Sequence, residues 1–225
     1  MYKKITVFKN LTASHNVDPQ NGFTPLCPDE LPVIGGNEIV DELNKQNNLV
    51  KYKTVSKDMH PINSIWIAND SQPQFSPVEG ENVDIAWKSH CISGTFGSEL
   101  IAGLPKMCEY DFFVAKGFEP DLHPYSSCYH DLNKKISTGL IEWYIAKHID
   151  TVIVAGLATN YCVGSTVEDL LDAGFDVILN LGGCRGIGSD EDVKNYVDSL
   201  VEKYKVNSVG SRIVVVNSAD EIEVI

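Results

Sequence analysis

The sequence predicts an α/β fold, a three-layer sandwich in which helices flank a mostly parallel sheet. Three observations predict it. Short apolar or β-branched runs alternate with stretches of helical spacing along the 225 residues. Apolar residues make up 43% and charged residues 22%, enough for a sizeable core. The residues best suited to chemistry fall just after the strand-like runs, where such folds bind ligands.

The elements follow in order. Residues 5–17 are β-branched enough for one strand, and 18–22 (DPQNG) carry turn chemistry. A short helical pattern at 39–43 follows Gly35 and Gly36. Residues 50–55 alternate as a second strand that ends at Asp58-Met59-His60-Pro61. Residues 61–108, rich in Pro, Gly, Asn and Ser, predict a loop-rich insertion contributing to a site. Within it, 72–82 is expected to be surface loop rather than lid. A buried strand at 111–115 precedes a helix at 132–148, spaced by Ile136, Leu140, Trp143, Tyr144 and Lys147. Then come a strand at 151–155, a helix at 164–173 stopped by Gly174, a strand at 175–179, a helix at 190–204 and a last strand at 213–216. No repeat or linker interrupts the chain, so 1–225 is expected to form one domain.

A formal net charge of −13 leaves no electrostatic footprint for nucleic acid or an anionic membrane. No window approaches the ~20 apolar residues of a membrane span. The segment from Met1 to Ile5 lacks the features of a secretory signal, so a cytoplasmic location is expected. The six cysteines, at 27, 91, 108, 128, 162 and 184, form no C-x-x-C pair. That removes a thiol-redox motif and a cysteine zinc finger, and most of the six are expected in the core.

Cys162 stands apart. It follows TVIVAGLATNY and precedes a helical stretch, so its sulfur is expected at a helix N-terminus, where the dipole favours thiolate and backbone N–H groups can gather an oxyanion. By position alone it is as well read as a core cysteine. A thiolate nucleophile needs a partner for its proton. Asp18 and Lys116, each ending a strand-like run, are candidates, although by itself Asp18 reads better as a turn former and Lys116 as a solvated lysine. Asp58-x-His60 puts two ligands on one side of an extended chain, and His90 lies 30 residues on. One carboxylate and two imidazoles suit Zn²⁺, Fe²⁺ or Mn²⁺; local hydrogen bonding is the alternative.

Taken together, Asp18-x-Gln20-Asn21-x-Phe23, Asp58-x-His60-Pro61, Trp87-x-x-His90-Cys91-x-x-Gly94-Thr95-x-Gly97-x-Glu99, Lys116-Gly117 and Gly156-Leu157-Ala158-Thr159-Asn160-Tyr161-Cys162-Val163 resemble the nicotinamidase branch of the isochorismatase-like cysteine hydrolases. The resemblance runs from about Val17 to Gly186. It implies a six-stranded sheet and a catalytic triad of Asp18, Lys116 and Cys162. It implies one divalent metal on Asp58, His60 and His90, usually zinc. A cis Leu157–Ala158 peptide would present the Ala158 and Cys162 N–H groups to the oxyanion. Phe23 and Trp87 would sandwich a pyridine ring, with Tyr125 and Leu157 completing the pocket. The implied reaction is hydrolysis of nicotinamide, a small-molecule amide, by a homo-oligomer.

Four departures bear on the substrate. Gly22 and Asn160 stand where the family commonly has Asp, Cys128 replaces an aromatic, and Ser14-His15-Asn16-Val17 is more polar than the usual strand end. The rival readings are a carbamoyl or ureido hydrolase, which lacks the metal ligands, an isochorismatase, which uses no cysteine, a metal hydrolase with a bystander cysteine, and a non-catalytic scaffold on the same frame.

Overall fold

The computed structural model describes residues 4–205 and 210–225; the start of the N-terminal segment weighed above, residues 1–3, lies outside them. Six strands form the main sheet: β2 (Thr12–Val17), β3 (Tyr52–Asp58), β4 (Phe112–Lys116), β5 (Thr151–Leu157), β6 (Asp176–Arg185) and β7 (Ile213–Val216). Their order is β4-β3-β2-β5-β6-β7, and every neighbouring pair is parallel. Helices α1 (Val40–Leu49), α2 (Leu140–Ala146), α3 (Gly164–Asp172) and α4 (Asp190–Tyr204) flank it. No helix among the described residues is long and apolar enough to cross a membrane.

Local chemistry explains where elements begin and end. Helix α4 opens on a capping box, Ser189 with Asp192, and carries three acidic residues in its first turn, complementing the dipole. It buries Val197, Leu200 and Tyr204, one face at helical spacing. Helix α3 buries Val167, Leu170 and Leu171 and stops before Gly174, whose positive φ of 96° suits the position after a helix.

Several boundaries differ from the sequence expectation, among them β6, which runs on to Arg185 rather than ending at 179. The strand expected over 5–17 breaks at a turn closed by Leu11 N–H on the Phe8 carbonyl at 3.0 Å. Its first part, β1 (Ile5–Val7), pairs instead with β8 (Ile222–Val224) in a separate two-stranded sheet. The helix expected over 132–148 forms only from Leu140. The Asp131 carboxylate accepts the backbone N–H groups of Lys135 and Ile136, offering that segment an alternative to helical bonding. Conversely, α1 continues to Leu49 rather than ending at Leu43, with Gln46 and Asn47 on its buried face.

That polar face accounts for the unusual strand β2. Ser14, His15 and Asn16 are fully buried, and buried polar groups need partners. Ser14 Oγ donates to Asn47 Oδ1 at 2.7 Å, Gln46 Nε2 donates to Asn16 Oδ1 at 3.0 Å, and His15 Nδ1 lies 2.8 Å from Thr54 Oγ1. The polar run is thus a network inside the core, not a weakened strand end.

Candidate active site

The strand order reverses between β2 and β5, the switch point at which open α/β sheets bind ligands. Asp18 follows β2, Asp58 ends β3, Lys116 ends β4, and Cys162 lies in the turn after β5. Gly156 permits the close approach of β2 and β5. Its φ is +143°, and a Cβ there would lie 2.0 Å from the Val17 carbonyl oxygen. The Leu157–Ala158 peptide is cis. Thr159–Val163 is a wide helical turn in which Val163 N–H reaches the Ala158 carbonyl at 3.2 Å, and it runs directly into α3. Cys162 therefore sits in the first turn of a helical stretch.

Lys116 is completely buried, and its ammonium organises the site. Nζ lies 3.0 Å from Asp18 Oδ2 and 2.5 Å from Asp58 Oδ1. It also donates to the Pro124 carbonyl at 3.1 Å and reaches Cys162 Sγ at 3.8 Å. Carboxylate oxygens of Asp18 and Asp58 and the Cys162 sulfur all lie within 4.8 Å of one another. The three residues proposed as a triad converge, and Asp58 joins them.

Their protonation follows from burial set against charge. Burial raises Asp18 to about 6 despite the pull of Lys116. Burial acts in the same direction on Asp58, but the attractions around it, that of the Lys116 ammonium foremost, hold that carboxyl well below the usual range. Burial alone would lower Lys116; the carboxylates of Asp18 and Asp58 keep it charged, well above the ordinary value. Burial pushes the Cys162 thiol well up, and the two carboxylates add to this against Lys116. The resting sulfur is therefore a thiol, not the thiolate that a helix N-terminus and a nearby cation suggested. A carboxylate oxygen of Asp18 lies within 4.8 Å of that sulfur, placed to accept its proton.

Beside the triad lies a cluster of imidazoles. His60 Nδ1 is 3.1 Å from the Gly117 carbonyl, and His90 Nδ1 is 2.6 Å from the Lys88 carbonyl. A carbonyl only accepts, so each ring donates from Nδ1 and turns the Nε2 lone pair inward. Gly117 makes room for this ring: a Cβ there would lie 2.5 Å from His60 Cε1. The inward Nε2 of His60 faces Asp58 Oδ2 at 3.6 Å and has no hydrogen-bond partner among the described residues. Two acceptors face each other there, an arrangement a cation would relieve. Carbonyl-anchored imidazoles beside a carboxylate are the usual dress of a zinc site. The donor set thus fits a divalent metal on Asp58, His60 and His90.

Phe23, Trp87, Tyr125, Ala158 and Cys162 line a cavity of about 20 Å³, together with Leu31, Asp58, His90, His123, Tyr161 and Ile187. That space suits an ordered water, so a ring must displace part of the wall to enter. Trp87 Nε1 donates to the Tyr125 hydroxyl at 3.1 Å, and Tyr161 packs edge-on to Trp87 with centroids 4.8 Å apart. Leu157 does not line the cavity; its side chain is fully buried beneath Gly36. A far larger cavity of about 1270 Å³ shares Leu31 and Ile187 with it but lies toward α4 and holds none of the triad. Size is a poor guide here, since it is the small one that Cys162 lines.

The Isochorismatase domain family matches residues 16–203. The chain belongs to that family. It is 31% identical over 174 residues to a nicotinamidase of Acinetobacter baylyi, covering 76% of this chain and 79% of the relative. Among solved structures, a nicotinamidase/pyrazinamidase of Acinetobacter baumanii superposes with a TM-score of 0.80 at 26% identity, over 94% of this chain and 98% of that one. A pyrazinamidase of Pyrococcus horikoshii in complex with zinc gives 0.69 at 27%, over 92% and 99%.

Two of the departures from the isochorismatase family pattern, Gly22 and Asn160, have physical explanations. A Cβ on Gly22 would lie 2.3 Å from Glu30 Oε2. The Glu30 carboxylate therefore occupies the space of the missing Asp side chain, and it accepts the Cys91 N–H at 2.8 Å, next to His90. Asn160 uses both ends of its amide, donating to the Ile187 carbonyl at 2.9 Å and accepting Ile187 N–H at 3.0 Å. A carboxylate could not do both. Cys128 is fully buried. Sequence reasoning missed His123, whose ring lies within the imidazole cluster, and missed Tyr161, Glu30, Leu31 and Ile187. His123 directly precedes Pro124-Tyr125, but no spacing relates it to Asp58-x-His60.

Proposed function

We propose that this amidohydrolase of the isochorismatase family converts nicotinamide to nicotinic acid and ammonia through a thioester on Cys162. The observation that carries the reading is the Lys116 ammonium, 3.0 Å from Asp18 and 3.8 Å from the Cys162 sulfur, beneath a cavity walled by aromatic rings.

The ring enters between Phe23 and Trp87 and stacks there. A divalent metal on Asp58, His60 and His90, with zinc, iron and manganese all compatible, would supply a Lewis-acid anchor for the ring nitrogen. Asp18 removes the thiol proton as sulfur attacks the carboxamide carbon. Lys116 stays protonated and balances the charge that passes between sulfur and carboxylate. The backbone N–H groups of Ala158 and Cys162 receive the oxyanion, each worth roughly 3–4 kcal/mol in such sites. Asp18 returns its proton to the leaving nitrogen as the C–N bond breaks. It then takes a proton from the water that cleaves the thioester, releasing the acid and regenerating the thiol. The reading extends to a cytosolic homo-oligomer that feeds the recycling of pyridine nucleotides (NAD salvage).

The test is ammonia release from nicotinamide against a panel of other amides and ureas, with and without chelator. Nicotinamide should be the preferred substrate. Cys162→Ala should lose turnover by at least 10³-fold while still binding the product acid, as expected for removal of a nucleophile. Ammonia release undiminished in that variant sinks the thioester mechanism; a urea preferred over nicotinamide sinks the substrate.

A further inference from the structure

We propose that His123 is a third imidazole ligand, so that the metal centre of this chain is built from Asp58, His60, His90 and His123. The inference rests on the metal site proposed above and adds to it a residue from the loop between β4 and α2. Ligand atoms of His60, His90 and His123 all lie within 4.8 Å of one another. The His123 ring stacks on that of His60 with centroids 5.3 Å apart.

Two further observations separate His123 from a histidine merely packed in a core. The residue is only 4% exposed, yet neither ring nitrogen has a hydrogen-bond partner among the described residues. A buried imidazole carries one donor and one acceptor, and leaving both unmet is rare unless a ligand supplies the partner. Its backbone, by contrast, is fixed at three consecutive residues. His123 N–H donates to the Asn82 carbonyl at 2.9 Å. The Leu122 carbonyl accepts from the fully buried Trp66 Nε1 at 3.0 Å, and the Pro124 carbonyl accepts from Lys116 Nζ at 3.1 Å. A rigid backbone presenting an unsatisfied ring toward two others is how ligands are preorganised.

The chemistry of the set has a consequence. Three imidazoles and one carboxylate favour zinc, cobalt or ferrous iron over manganese or magnesium, which prefer oxygen donors. It also leaves fewer positions for water or substrate. His123 lines the same small cavity as Cys162 and Trp87, so the added ligand lies on the substrate side of the cluster.

The experiment uses the full chain stripped of metal, with Zn²⁺ and Co²⁺ as probes. Zinc affinity is measured by competition with a chromophoric chelator, the Co²⁺ ligand-field spectrum is recorded, and X-ray absorption counts imidazoles around bound zinc. Wild type should bind one zinc with three imidazoles. His123→Ala and the polar, shape-retaining His123→Gln should each bind at least tenfold more weakly, show two imidazoles, and shift the cobalt bands. Discrimination between zinc and manganese should narrow in both. Near-ultraviolet circular dichroism identifies any variant that fails to fold, and the imidazole count on wild type stands without the variants. If His60→Ala loses zinc while the His123 variants keep wild-type affinity and wild type shows two imidazoles, this inference falls and the smaller site stands. If folded His60→Ala binds zinc as wild type does, the site itself falls.

Discussion

Replacing Lys116 by methionine keeps an aliphatic stem and deletes the one ammonium shared by two buried carboxylates. At an effective dielectric of about 20, a unit charge gains about 5–6 kcal/mol at the 3.0 Å of Asp18 and about 7 kcal/mol at the 2.5 Å of Asp58. Desolvation of three buried ions and repulsion between the carboxylates offset most of this. Breaking such a group by removing one partner typically costs about 3–5 kcal/mol, because the remaining charges are left buried and unpaired. The loss must also depend on pH. Asp18 is already raised to about 6 with Lys116 beside it, and without the ammonium it rises further. A folded-state carboxyl raised above its unfolded value binds a proton that the unfolded chain does not, so stability increases as pH falls through the raised value. Lys116→Met should therefore lose about 3–5 kcal/mol at pH 8 and distinctly less at pH 5, where a proton on Asp18 replaces part of the missing charge. Urea denaturation followed by circular dichroism at the two pH values measures both. A loss under about 1 kcal/mol at pH 8, or an equal loss at both, would refute the charge-balance reasoning.

The proposed reaction needs ionised Asp18, so kcat/KM of the wild type should fall as pH drops through about 6, the value to which burial raises that carboxyl; a profile flat from pH 7 to 5 would remove Asp18 as the base. Because Glu30 fills the space beside Gly22, Gly22→Asp should destabilise by about 1–3 kcal/mol, and adding Glu30→Ala should recover most of it, both read by thermal melts. Asp58 pushes the Cys162 thiol up, so metal-free Asp58→Asn should be alkylated by iodoacetamide several-fold faster than metal-free His60→Ala at the same pH, by mass spectrometry; equal rates would mean that the sulfur does not sense that carboxylate.

What was legible in the sequence is what local chemistry decides. Lys116 ends the apolar strand β4 and Cys162 lies in the turn after the apolar β5, so their places at strand ends could be inferred from composition, whereas Asp18 follows the buried but polar β2 and was marked by the turn residues behind it. The imidazole cluster was only half legible for the opposite reason. His60 and His90 meet because an isolated bridge joins His60 to Ile92, and a second joins Ile67 to Trp87, in a segment with no helix longer than one turn. Pairings of that kind leave no period in the sequence. His123 depends on another such loop, held by Asn82 and Trp66 from a distance of some 40 to 60 residues. The helix expected from residue 132 failed for a different cause: Ile136 and Leu140 have the right spacing, but spacing says nothing about a carboxylate such as Asp131 competing for the same N–H groups. Trp87 and His90, from within residues 61–108, line the small cavity, and Trp66 and Asn82 from the same stretch hold the loop around His123.

Asp58 explains why the two halves of the site cannot be separated. Its oxygens are divided, Oδ1 toward the Lys116 ammonium and Oδ2 toward His60 Nε2. One carboxylate therefore helps hold the cation of the triad and faces the nitrogen that would bind a metal. Gln20 fixes it from behind, accepting Asp58 N–H at 2.7 Å and donating to the Asp58 carbonyl at 2.8 Å, while its amide also reaches the Ser98 carbonyl at 3.1 Å. A group clamped so firmly on its backbone has little freedom to favour one partner over the other. The geometry of the cluster is thus transmitted to Lys116 through a single rigid carboxylate, and from Lys116 to Asp18 and the sulfur. In the proposed reaction a ring held at the metal site would thereby be set at a fixed place relative to the Cys162 sulfur, and proximity of that kind is the part of catalysis a folded chain supplies before any bond is made.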